Sequence, residues 1–293
     1  MRSAALLLLL AACTPPAAGG GGGIVSTNPC ADAMLVRLVA PERIAAISRY
    51  SHDPAATSLP PDLARRFRAT AGTAEEVIAL RPALVLASTF TPAATREAYA
   101  SAGLRTLYLD SPTTVAASVA QVREVAAALR ESAKGEAMAA EITKALLPPP
   151  RRRGPSSGTL NDVGQPSTTA TADPGAPPAR GWNKSNPSAL LYIAGDLANG
   201  AGTLLDELTR RAGFRNAAAD YGLAHTGTLP VELLVARPPA VIIAAGEGRT
   251  AALRRRLLPG TPHARLDRIL VNCGGPAIPA ALARLRAIRA TLP

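Results

Sequence analysis

Cys30 and Cys273, together with His52, His225 and His263, are the side chains of this chain best suited to covalent or metal chemistry. A zinc site needs several His, Cys or carboxylate ligands converging on one point, and their usual close spacings are His-x-x-x-His and Cys-x-x-Cys. Neither spacing occurs, so no metal site and no resident cofactor are expected. Nor is there a serine on a nucleophile elbow or a recognisable catalytic carboxylate pattern. The glycine-rich turn from Gly195 to Gly202 superficially has the look of a nucleotide loop, yet it lacks the Lys-Ser/Thr ending that would hold phosphate and magnesium. No catalytic constellation is recognisable in the sequence. Three fates remain open for Cys30 and Cys273: a disulfide, a pair of thiols touching a ligand, or inert burial.

The charge balance narrows the partners. Lys and Arg number 32 against 21 Asp and Glu, a net charge of +11. An excess of this size can serve nucleic acid or an anionic membrane. Here the basic residues are mainly Arg spread along helical segments, with no nucleic-acid motif beside them. They read as a solvated surface, and no nucleic-acid partner is expected.

The start of the chain carries an address. Arg2 precedes the apolar run Leu6 to Leu10, and Leu10-Ala11-Ala12-Cys13 follows. This is the order of a secretory signal, and it is too short to span a bilayer. Its last four residues match a bacterial lipobox, so residues 1–13 are expected to be a lipoprotein signal with Cys13 as the lipidated residue; an ordinary cleaved signal is the alternative. Residues 14–23, rich in Pro, Ala and Gly, read as a flexible tether. The compartment this implies is oxidising, which permits a disulfide between the two remaining cysteines.

The elements that position these residues alternate. Short apolar strands are expected at 23–26, 43–48, 84–86 and 104–109, with helices at 31–38 and 93–102 between them. That alternation indicates an α/β lobe with a mostly parallel sheet over 24–110. Ser111 and Pro112 read as the cap and first residue of a helix. Val115, Val119, Val122, Ala126 and Leu129 recur at helical spacing, and one long helix is expected to fill 111–147, with Gly135 as a weak point. Residues 148–187 hold nine of the 27 prolines and only Leu160 and Val163 as large aliphatic residues, so they cannot offset the entropy of ordering and read as a disordered linker. A second lobe is expected over 188–293. It has strands at 190–194, 241–243 and 268–271, helices at 203–212 and 231–236, and a final helix striped by Ile278, Leu282, Leu285, Ile288 and Leu292.

An internal repeat relates the two lobes. Glu75-Glu76-Val77-Ile78-Ala79-Leu80-Arg81-Pro82-Ala83-Leu84-Val85-Leu86-Ala87 parallels Glu232-Leu233-Leu234-Val235-Ala236-Arg237-Pro238-Pro239-Ala240-Val241-Ile242-Ile243-Ala244. In each, a short helix opens on Glu, a proline follows seven residues later, and an apolar run enters a sheet buried on both faces. With the segment Arg49-Tyr50-Ser51-His52-Asp53-Pro54 and the run Gly213-Phe214-Arg215-Asn216, this order resembles the solute-binding proteins that feed vitamin B12, heme and ferric-siderophore ABC importers. The likeness covers about residues 24–147 and 188–293. It implies two α/β lobes joined by one long helix, with a ligand between them. It also implies no catalysis, an ABC permease with its ATPase subunit as partner, Glu75 and Glu232 as permease-docking residues, and Tyr50 as a ligand contact. The ligand implied is a corrinoid or a ferric siderophore or heme-like chelate, met in the periplasm by a protein held to the membrane through its lipid alone.

Ligand sites on open α/β sheets form beyond the C-terminal ends of strands. That rule selects Asn28, Pro29 and Cys30, then Tyr50 and His52, Thr89 and Phe90, Asp196 and Asn199, and Asn272 and Cys273. The chain departs from the family pattern in its long 148–187 segment, in its scarcity of aromatics, and in Asn272-Cys273-Gly274-Gly275-Pro276 before the last helix. Two rivals stand beside the binding protein: an envelope enzyme on a related two-lobed fold, redox-active through the cysteines, and a structural lipoprotein without a ligand.

Overall fold

The structure, a computed structural model, describes residues 22–148 and 186–293. The lipobox with Cys13, the tether apart from its last two residues, and residues 149–185 of the Pro-rich segment lie outside the described residues.

The first lobe runs β1 (Gly22–Ser26), α1 (Pro29–Leu38), β2 (Ile44–Ser48), α2 (Pro61–Ala64), β3 (Ala69–Thr70), α3 (Ala74–Ala79), β4 (Pro82–Ser88), α4 (Ala93–Ser101) and β5 (Thr106–Leu109). Its five strands are all parallel, in the order β3-β2-β1-β4-β5. Strand order reverses between β1 and β4, and at such a switch point the loops beyond the strands part to leave a crevice. Next come α5 (Val115–Ala128) and α6 (Ser132–Leu146).

The second lobe comprises β6 (Ser188–Ala194), β7 (Leu197–Ala198), α7 (Leu204–Arg211), β8 (Arg215–Asn216), β9 (Gly227–Thr228), α8 (Val231–Ala236), β10 (Val241–Ala244), α9 (Arg249–Leu257), β11 (His263–Arg265) and α10 (Ile278–Ala290). Its sheet has the order β11-β10-β6-β7-β9, with β8 paired to β6; only the β7 pairings are antiparallel. The repeat is visible in the topology. β4 lies between the first strand of its lobe and β5, and β10 lies between β6 and β11.

One apolar core runs through both lobes. Met34 and Leu38 of α1, Val119 and Val122 of α5, Met138 and Ile142 of α6, Leu208 of α7, and Leu282 and Leu285 of α10 belong to a single buried cluster. The stripes expected on α5 and α10 face this cluster. Arg286 of α10 does not simply face solvent: it donates to the carbonyls of Ala145 (2.8 Å) and Leu146 (3.1 Å), covering the open end of α6.

Three expectations are corrected. The long helix over 111–147 is two helices packed on each other. Arg130 takes the left-handed conformation (φ 60), the Glu131 N–H bonds the Ala126 carbonyl at 2.8 Å, and the Arg130 N–H bonds the Ala127 carbonyl at 3.1 Å. These are the two bonds that end a helix in a Schellman motif. Gly135 is not the break. It lies inside α6, where an added Cβ would come within 2.3 Å of the Ala126 Cβ, so it allows α5 and α6 to approach. The helix also starts later than Ser111 and Pro112: Thr114 is its cap, accepting from the Ala117 N–H at 3.0 Å. Finally, residues 268–270 form a 3₁₀ turn, and the last strand is β11 at 263–265.

Candidate functional site

The strand ends of the first lobe present two aromatic rings to solvent. Tyr50 lies in a 3₁₀ turn (Arg49–His52) directly after β2 and is 49% exposed; Phe90 follows β4 and is 76% exposed. These are the large exposed aromatics among the described residues, whereas Tyr99, Tyr192 and Phe214 are buried. Arg49 places its guanidinium 5.1 Å from the Tyr50 ring centroid and donates to the phenol oxygen at 3.3 Å. His52 is exposed on the same turn. Beside Phe90, the Thr89 hydroxyl donates to Asp110 at 3.3 Å.

A buried carboxylate fixes the Tyr50 turn. Asp32, in the first turn of α1, accepts from the Ser48 N–H (2.9 Å) and the Ser51 hydroxyl (2.6 Å) through one oxygen, while its other oxygen is buried without a partner. Burial pushes this carboxyl up to about 7, against the opposing pull of those hydrogen bonds. The sequence reading did not single out Asp32. Its only sequence signal is an acid near the start of an otherwise apolar helix.

Asn28, expected as a ligand contact, spends its side chain as the cap of α1, accepting from the Cys30 N–H (2.9 Å) and the Ala31 N–H (3.4 Å). Cys30 and Cys273 are joined in a disulfide with their Cα atoms 5.2 Å apart. Of the three fates left open for these residues, the structure has the first. Asn272 and Cys273 do not follow a strand but leave the 268–270 turn. Asn272 donates across the lobes to the carbonyls of Ala55 (3.2 Å) and Thr57 (2.9 Å), and the Cys273 N–H donates to Ser58 at 3.1 Å. The fold thus gathers Asn28, Cys30, Asn272 and Cys273 at the junction of the lobes.

In the second lobe, Asp196 is half exposed after β6 and pairs with Arg254 at 3.0 Å. Asn199 is withdrawn from the surface: it is 3% exposed and bonded to Thr203 and Gly200, so it holds the loop before α7. Sequence reasoning missed α9 and with it Arg254. The repeat held the signal, because β4-α4-β5 in the first lobe implies β10-α9-β11 in the second. Among the described residues no three His, Cys, Asp or Glu side chains converge as metal ligands would. Glu75 and Glu232 are exposed in the first turns of α3 and α8.

This is the two-lobed fold of periplasmic binding proteins, and residues 24–148 match the model of the family described as periplasmic binding protein. Among solved structures, the chain is similar to the periplasmic heme-binding protein RhuT from Roseiflexus sp. RS-1 in apo form (TM-score 0.64, 19% identity, covering 92% of this chain and 97% of that one). It is also similar to the periplasmic heme-binding protein BhuT in complex with two hemes (TM-score 0.66, 21% identity, 93% and 99%). A third is the periplasmic vitamin B12 binding protein BtuF of Vibrio cholerae (TM-score 0.60, 12% identity, 93% and 98%). No curated protein sequence matches the chain.

Proposed function

We propose that this protein is the substrate-capturing component of an ABC importer, working in the periplasm and taking up a large, rigid metal chelate of the heme, corrinoid or ferric-siderophore kind. The observation that carries this reading is the placement of Tyr50 and Phe90. In a chain with few aromatics, these two rings stand exposed at strand ends next to a topological switch point, where α/β sheets bind ligands. Flat rings with polar groups beside them suit a broad, partly apolar ligand. Similarity to proteins named for heme and vitamin B12 supports the same class.

The joined lobes make capture the task of a nearly preformed site. The ligand fits between the strand ends, the lobes adjust modestly around it, and little ordering entropy opposes binding. A helix that feeds a parallel strand runs against that strand, so Glu75 and Glu232 lie toward the edge where β4 and β10 end. On this reading they meet the permease on the side that holds the ligand. ATP is hydrolysed on a separate subunit. Cys13 carries the lipid that keeps the protein at the membrane.

Two experiments test this. Protein purified from its native host should show the visible absorption of a bound chelate; a colourless protein that binds no chelate afterwards defeats the reading. Cys13→Ser should move the protein from membrane pellet to soluble fraction, and an unchanged pellet after salt washing refutes lipidation.

A further inference from the structure

The first strand enters its sheet through a ring of cations. Gly22 lies opposite Pro82, and Gly23 packs so close to Arg43 that an added Cβ would fall 2.3 Å from its carbonyl oxygen. The chain that leads back to Cys13 therefore leaves the lobe between Arg43 and Arg81, at the edge where β1, β2, β4 and β5 begin. Arg105 precedes β5 at the same edge, and α5 ends beside it: the Ala128 carbonyl accepts from Arg105 at 3.5 Å and the Leu129 carbonyl from Arg43 at 2.8 Å. Arg130 follows, and Lys134 donates to the carbonyl of Leu38, at the end of α1, at 2.9 Å. All of these cations are exposed. Of the nearby acids, Glu131 is already held by Arg43 (2.6 Å) and Lys134 (3.1 Å), and Glu42 and Glu124 leave the edge net positive. Capping of helix ends accounts for Arg43, Arg105 and Lys134. It does not account for Arg81 and Arg130. Both take left-handed backbone (φ 44 and 60), where Gly or Asn is the usual residue, and neither side chain has a partner among the described residues.

A positive edge around the point where a lipid-tethered chain emerges is complementary to an anionic bilayer. Residues 14–21 span at most roughly 30 Å even when fully extended, so a lipid on Cys13 keeps this edge close to the headgroups. Attraction between exposed charges then acts over about 10 Å in dilute salt. We propose that this edge of the first lobe is a second membrane contact, lying on anionic lipid headgroups. The proposal builds on the tethered reading of Cys13 and goes beyond it. It also sets an orientation. Tyr50 and Phe90 stand at the opposite ends of the strands, roughly 15–20 Å away, so the bound lobe opens its site away from the bilayer. The contact is electrostatic and reversible, and the protein leaves it to dock.

The chain from Thr14 onward keeps every described residue and carries no lipid, so its adsorption reports the edge alone. In low salt it should sediment with vesicles of phosphatidylglycerol and phosphatidylcholine in equal parts, and not with phosphatidylcholine alone. Arg81→Asn with Arg130→Asn removes both unpartnered charges and gives each left-handed position a residue that suits it, so the fold is kept. This variant should bind at least about fivefold more weakly. Arg249→Gln with Arg256→Gln removes the same charge from α9 and should stay within about twofold of the wild type. Hydrogen exchange on the vesicles should slow at residues 42–43, 80–81, 103–105 and 129–131, and not at 49–53 or 89–91. Binding without anionic preference, or equal weakening by the two pairs of substitutions, overturns the proposal, because adsorption would then owe nothing to this edge. Protection at 49–53 in place of the strand starts overturns it as well. Failure of the lipid reading shows separately, in the Cys13→Ser fractionation.

Discussion

The disulfide between Cys30 and Cys273 closes a loop of 243 residues and holds the two Cα atoms 5.2 Å apart. It ties the N-terminus of the first helix to the turn that leads into the last one, and so ties one lobe to the other. Asn272 reinforces the tie by bonding the carbonyls of Ala55 and Thr57, a few residues past Tyr50. A crosslink over so long a loop restricts the unfolded chain strongly. Cys30→Ser with Cys273→Ser should therefore lower unfolding free energy by about 2–5 kcal/mol. Guanidinium denaturation with and without reductant checks this: reductant should destabilise the wild type and leave the double variant unchanged. Equal stability of both proteins under oxidising conditions would show that the crosslink does not constrain the fold.

Asp32 makes stability depend on pH. Its carboxyl titrates at about 7 in the folded protein and at 3.8 in the reference state, because burial disfavours the charged form. Between about pH 4 and 7 the folded state keeps a proton that the unfolded state has lost. Stability contributed by this group therefore falls as pH rises through that window and levels off above it, by up to roughly 4 kcal/mol in all. Asp32→Asn should remove most of this slope. Urea denaturation of both proteins at pH 5 and pH 8 decides the matter, and parallel losses would exclude Asp32 as the source.

Gly135 sets the spacing of α5 and α6. Alanine is the better helix former by about 1 kcal/mol. Its Cβ, however, would come within 2.3 Å of the Ala126 Cβ, and prying two packed helices apart costs about 1–3 kcal/mol. The steric term wins, so Gly135→Ala should lower the thermal midpoint. A raised midpoint would mean that the helices separate freely.

On the proposed reading, docking is separable from capture. Glu75→Arg combined with Glu232→Arg should abolish uptake in cells while leaving ligand affinity within about twofold, because exposed rim charges choose partners more than they shape a pocket. Uptake assays beside calorimetry check both halves. A matched loss of affinity would move these residues into the binding site.

What could be read from the sequence follows the strength of each local signal. Apolar strands and helical stripes announced both sheets, and the Glu-to-proline repeat announced two similar lobes. The helix break was hidden because Arg130 occupies a left-handed position that usually calls for Gly or Asn, whereas Gly135, the visible suspect, serves close packing instead. The turn at 268–270 looked like a strand because Ile269, Leu270 and Val271 are apolar, but Leu270 and Val271 pack against the main core cluster rather than joining a ladder. At the site, position after a strand selected Tyr50 and Phe90 as candidate ligand contacts, and both rings are exposed. The same rule cannot tell a ligand contact from a cap, so it also chose Asn28, or from a loop brace, so it chose Asn199. Arg254 escaped because buried charge has no periodic signature.

The most direct measurement is calorimetric titration of the purified protein with hemin, cyanocobalamin and a panel of ferric siderophores, beside glucose, an amino acid and zinc ion as controls. At least one chelate should bind with micromolar affinity or better, about −8 kcal/mol, and Tyr50→Ala should weaken it. Binding of a control with no chelate bound would contradict the account.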